Sequence, residues 1–142
     1  MSTDSGRPRP RKTDQIVLVD RCLSPEVAYE ISKVDGLYGL PLYEHYGNEA
    51  AEGLEDVTFL AEAGQRDWAV LTQNPRMWQV PHERDCIIAN HTRVFALDNP
   101  NATKTLKGLV IGRHLLSLRR RLKRRDPCFW RLLIQAVRKD LR

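Results

Sequence analysis

The chain has 142 residues, of which 42% are hydrophobic, and that suits one compact domain with a single core. No apolar run reaches the about 18 residues of a membrane span, and the polar N-terminus lacks the apolar core of a signal peptide. The formal net charge of +5 points to an anionic partner, with much of the excess in residues 7–12 and 119–125.

Cysteine and histidine usage narrows the chemistry. Cys22, Cys86 and Cys128 are far apart and form no CxxC or Cys/His pattern, which argues against zinc and a disulfide framework. A reducing, cytoplasmic setting is the simple expectation. His45, His82, His91 and His114 are scattered, and nothing marks a Cys/His nucleophile pair.

Residues 1–14 combine Ser, Thr, Gly, Pro and basic side chains. They read as a flexible basic arm, able to brush phosphates or simply to stay solvated, and residues 15–142 read as the folded domain. Ile16-Val17-Leu18-Val19 is an unbroken aliphatic run, the mark of a strand buried on both faces. Asp20 ends it, and Ser24-Pro25 caps and starts the following helix. Asp20 thus falls at the carboxyl end of a central strand, where open α/β sheets bind ligands, although Asp also serves simple turns. Val27, Ile31 and Val34 make one helix face, closed by Asp35-Gly36.

The apolar stretch from Leu37 to Tyr43, broken by Gly and Pro, reads as a short edge strand. His45 to Gly53 reads as a polar loop. Leu54 to Gly64 reads as a short helix with Val57, Leu60 and Ala61 on its inner face. Its early acids, Glu55 and Asp56, also complement the helix dipole. Trp68-Ala69-Val70-Leu71-Thr72 is the next buried strand, and Asn74-Pro75 has the form of a cap followed by a first turn. A short helix from His82 to Asn90 follows, then the strand Arg93-Val94-Phe95-Ala96-Leu97, ended by Asp98 and the turn Asn99-Pro100-Asn101.

Ala102 to Arg125 is helical in pattern, with Leu106, Leu109, Val110, Leu116, Leu118 and Leu122 near one stripe. Gly108 and Gly112 are expected to let it pack closely on the sheet. Its basic end reads either as a phosphate-facing patch, with Arg120, Arg121 and Arg124 as contacts, or as a solvated helix terminus. Cys128 to Ile134 makes a fifth strand, and Gln135 to Arg142 is open between strand, helix and tail. Strands alternating with helices predict an α/β fold with a mainly parallel sheet covered on both faces. No GxxxxGK[ST] or GxGxxG motif supports nucleotide binding.

In such a sheet Asp20, the Thr72–Asn74 turn and Asp98 share one edge, and Asp56 can lean over it. Clustered carboxylates suit Mg²⁺ or Mn²⁺, which take hard oxygen ligands and assist phosphodiester hydrolysis. The basic helix would hold the nucleic-acid backbone that acids alone repel.

Asp20-Arg21-Cys22-Leu23-Ser24 after a strand, the helix with Asp56, Trp68-Ala69-Val70-Leu71-Thr72-Gln73-Asn74, Pro81-His82-Glu83-Arg84 and Arg93-Val94-Phe95 together resemble the PIN-like domains. Those domains include the VapC-type toxins of bacterial toxin–antitoxin pairs, and the resemblance runs from about Ile16 to Leu133. It implies a three-layer α/β/α sandwich and a Mg²⁺- or Mn²⁺-dependent ribonuclease, with RNA as substrate and a cognate antitoxin protein as partner. It places the first carboxylate on Asp20 and the second on Asp56, with Glu55 as a neighbouring alternative. The third acidic position, in a Thr-x-Asp turn, holds Asn74 instead. That departure removes one charge and weakens the expected site, with Asp98 a candidate to compensate. The alternative is a catalytically inactive module of the same fold that binds RNA or a protein.

Overall fold

The computed structural model describes Arg7 and residues 9–98, 104–133 and 137–142, with the backbone alone for 104–110. Six strands form one sheet: β1 (Gln15–Val19), β2 (Leu37–Pro41), β3 (Ala69–Thr72), β4 (Arg93–Leu97), β5 (Cys128–Leu132) and β6 (Val137–Leu141). Their spatial order is β2-β1-β3-β4-β5-β6. The first five are parallel, and β6 returns antiparallel to β5.

Strand alternation sends the core to two faces. On one, Val17, Val19, Leu71, Phe95 and Trp130 pack against α1 (Pro25–Ser32) and α6 (Lys104–Arg121). On the other, Leu18, Val70, Val94 and Phe129 meet α2 (Leu42–Tyr46), α3 (Asn48–Glu52), α4 (Asp56–Gln65) and α5 (Pro81–Ala89). The result is the α/β fold with a mainly parallel sheet that the alternating pattern predicts. Val17 to Val19 are buried and Ile16 is half-buried. Ser24 caps α1 through a hydrogen bond from the Glu26 N–H, with Pro25 in the first turn. The chain leaves β1 toward β2 on one side, and β3 lies on the other. The crevice between the carboxyl ends of β1 and β3 is therefore the topological switch point of the sheet.

Close packing fixes two glycines. A Cβ at Gly39 would lie 2.2 Å from the Ala28 carbonyl oxygen, so α1 can rest directly on β2. A Cβ at Gly64 would meet the Asn90 carbonyl oxygen at 2.2 Å. Gly64 thus lets α4 approach the turn after α5, and it lies inside α4 instead of closing it.

Several other expectations are corrected. The predicted polar loop from His45 to Gly53 contains α3, and α2 takes in Leu42 to Tyr46. The buried residues of α4 are Phe59, Leu60 and Ala63; Val57 and Ala61 are only half-buried. On α6, Leu116 is exposed, and a Cβ at Gly112 would meet nothing within 4 Å, so this glycine makes no close contact with the sheet. Leu106, Gly108, Leu109 and Val110, by their side chains, and the turn Asn99-Pro100-Asn101, lie outside the described residues, as does Ile134. Within the expected arm, Arg7 packs against the domain. Its guanidinium lies 4.6 Å and 4.7 Å from the ring centres of Tyr29 and Tyr38, and it donates to Ser32, the Gly39 carbonyl and Glu44. Among the described residues no helix is long and apolar enough to cross a membrane.

Candidate active site

Asp20 follows β1 directly, and its backbone N–H donates to the Leu71 carbonyl at 2.9 Å, carrying the β1–β3 pairing one step past the strand end. The residue is only 6% exposed. Its Oδ2 accepts a hydrogen bond of 2.8 Å from the hydroxyl of Thr72, the last residue of β3 and itself buried. The Thr72 oxygen in turn accepts the Asn74 N–H at 3.1 Å. A buried carboxylate is stable only with such partners, and here they fix its rotamer at the switch point.

Asp56 opens α4 on the far side of the crevice. Burial raises its pKa above the ordinary carboxylate value, and the Asp20 charge raises it further, opposed by Arg21 and by a hydrogen bond with Glu83. Glu83, on the first turn of α5, is raised by burial and then by Asp56. Its side chain is 12% exposed, and its buried Oε1 has no hydrogen-bond partner among the described residues. Asp20, Asp56 and Glu83 thus form a chain of mutually repelling acids. Arg21 braces the rim by donating to the carbonyls of Ala51 and Leu54, just ahead of α4. The Cys22 thiol sits against Asp20 and is pushed up to about 11, first by burial and then by that charge, so it stays protonated at neutral pH.

Asn74 reaches this assembly through its backbone. Its side-chain oxygen accepts the Arg76 N–H at 3.2 Å and caps the short 3₁₀ turn Pro75–Gln79. The Asp98 carboxylate stands 3.5 Å from Arg131, so its charge is already compensated. Glu55 is exposed at the start of α4 and makes no capping bond.

Residues 16–99 match the family described as PIN like domain. The chain belongs to the PIN-like domain family. Comparison with curated proteins and with solved structures gives no significant match. The matched stretch includes Asp20, Asp56, Thr72 and Glu83 of this PIN-like domain, and excludes α6, β5 and β6.

The basic helix end, expected as a phosphate-facing patch or a solvated terminus, lies away from the acids. As the crossover from β4 to β5, α6 runs against the strand direction, and its 18 residues span about 27 Å. Its C-terminus therefore lies at the amino edge of the sheet, opposite the acids. There Arg93, the first residue of β4, donates to the carbonyls of Leu122 and Arg124. Arg121 is 3% exposed and donates to the backbone oxygens of Arg124, Asp126, Pro127 and Arg142. It braces this corner, with its guanidinium engaged by backbone oxygens. Arg124 pairs with Asp126 at 2.5 Å, and Arg120 is exposed.

Sequence reasoning gave no role to Glu83, Arg21 or Cys22. Glu83 carried one usable signal: it lies four residues before Ile87, the buried residue of α5, and so on the inward side of that helix. Among the described residues no three His, Cys, Asp or Glu side chains are gathered into a ready metal cage. The donors nonetheless suit magnesium, which commonly takes one or two carboxylates and keeps several waters. The orphaned Oε1 of Glu83 and the raised Asp56 and Glu83 carboxyls are features that a hard cation would relieve.

Proposed function

We propose that this PIN-like domain is a Mg²⁺- or Mn²⁺-dependent endoribonuclease. The observation that carries the reading is the buried Asp20 carboxylate, held by Thr72 at the sheet's switch point, with Asp56 and Glu83 across the crevice. Asp20 and Asp56 would hold the cation, with Glu83 beside them. When bound, the cation would supply a nucleophilic water and offset charge building on the phosphodiester. Thr72 orients Asp20. Arg21 fixes the segment that presents Asp56 and lowers the repulsion it feels.

The test is cleavage of an end-labelled RNA with Mn²⁺. Activity should vanish with EDTA and fall at least 100-fold in Asp20→Asn while the fold is kept. Activity that survives both would remove the assignment. Growth arrest on induced expression, relieved by Asp20→Asn, would mark a toxin that needs an antitoxin partner.

A non-catalytic module binding RNA or protein is the second reading. It draws support from Asn74, whose side-chain oxygen is occupied by a cap where the resemblance expects a third acid. Metal-independent RNA binding without cleavage would favour it.

A further inference from the structure

We infer that the cleft between the C-terminal half of α6 and β6 binds a phosphodiester of single-stranded nucleic acid, away from the acidic crevice; the inference rests on the RNA-directed reading above. The cleft has a volume of about 350 Å³. Its lining includes Ser117, Arg120, Arg124 and Lys139 around Trp130, and no carboxylate belongs to it. Asp126 reaches Arg121 and Arg124 from outside the lining. Arg120 has no ion-pair partner among the described residues, so its charge is uncompensated.

The second observation is Trp130. It is 6% exposed, and its buried indole N–H has no hydrogen-bond partner among the described residues. A buried unpaired donor is costly and calls for an acceptor. Arg120, Lys139 and Ser117 around this ring are all donors, which suits an anion with several acceptor oxygens. Lys139 already stands over the Trp130 ring, 4.6 Å from its centre. The ring face is therefore not open for base stacking, so the cleft reads backbone and not sequence. The residues all lie beyond the part of the chain that matches the PIN-like family.

The experiment titrates the ¹⁵N-labelled full chain with the oligonucleotide rU12 in EDTA, where no cleavage interferes. The Trp130 indole resonance should move, and anisotropy with labelled rU12 should give about a 10-fold weaker Kd for Arg120→Gln/Lys139→Gln. The salt dependence should flatten by about 1.4 in log–log slope, the loss of two contacts to a single strand. Lys33→Gln/Arg66→Gln, the same charge change at exposed sites outside the cleft, should bind like the wild type. An equal loss in that control overturns the proposal, as does an unmoved Trp130 signal at saturation. A shift with inorganic phosphate but not rU12 also overturns it, since the cleft then takes small anions. The two readings fail separately. Lost binding in the cleft variant alongside a wild type that never cleaves RNA spares the cleft, and unchanged binding with intact cleavage sinks only the cleft.

Discussion

The Thr72 hydroxyl donates to Asp20 Oδ2 across 2.8 Å, joining the carboxyl ends of two neighbouring parallel strands inside the protein. That contact turns a strand-end acid into a carboxylate of fixed orientation. Thr72→Val keeps the shape and removes the donor. It should lower stability by about 1–3 kcal/mol in urea denaturation, because a buried charged acceptor loses its partner. Mn²⁺-dependent cleavage should fall at least 10-fold, and Thr72→Ser should restore both. Full activity in the Val variant would show that Asp20 needs no such positioning.

The raised pKa values of Asp56 and Glu83 have a sign that stability can test. Both carboxyls bind a proton more readily in the folded chain than at their ordinary values of 3.8 and 4.5. Their contribution to stability is complete below those values and is lost as pH rises through the folded ones. At neutral pH the pair is therefore a liability. Glu83→Gln should raise Tm at pH 7 by roughly 2–5 °C, with little change near pH 3. It should also shrink the stabilisation that Mn²⁺ gives the wild type. A lower Tm at pH 7 would count against the repulsion.

Asn74 caps the 3₁₀ turn with the oxygen a metal would need. Asn74→Asp should therefore leave both stability and Mn²⁺ affinity unchanged, because Asp caps about as well. Asn74→Ala should cost ~1 kcal/mol by the loss of the cap. Calorimetric titration of Mn²⁺ into the Asp variant checks the first point, and tighter binding would return Asn74 to the metal site.

Arg121 braces the corner where α6 ends. Arg121→Gln should strand buried carbonyls and cost about 2–3 kcal/mol in chemical denaturation. Under conditions where the variant is folded, its salt dependence of RNA binding should match the wild type. A flattened slope with unchanged stability would make Arg121 a phosphate contact after all.

Much of the fold was legible in local sequence because parallel strands buried on both faces announce themselves. Ile16-Val17-Leu18-Val19 marks β1, and Trp68-Ala69-Val70-Leu71-Thr72 covers β3. The residues directly after those runs, with Asp20 foremost, are the ones the sheet brings to one edge. The short helices α2 and α3 were not legible, since five residues carry too little periodicity. Glu83 joins Asp56 because Ile87 on α5 packs in the same core as Phe59 and Leu60 on α4, a pairing that exists only once both helices cover the sheet. The basic run 119–125 shows its charge in the sequence but not its place. The direction of the crossover puts it at the edge opposite the acids, and burial makes Arg121 a brace while leaving Arg120 in solvent. Local composition thus determined which side chains carry charge and where the strands end. Chain direction and packing decided which of those charges face each other.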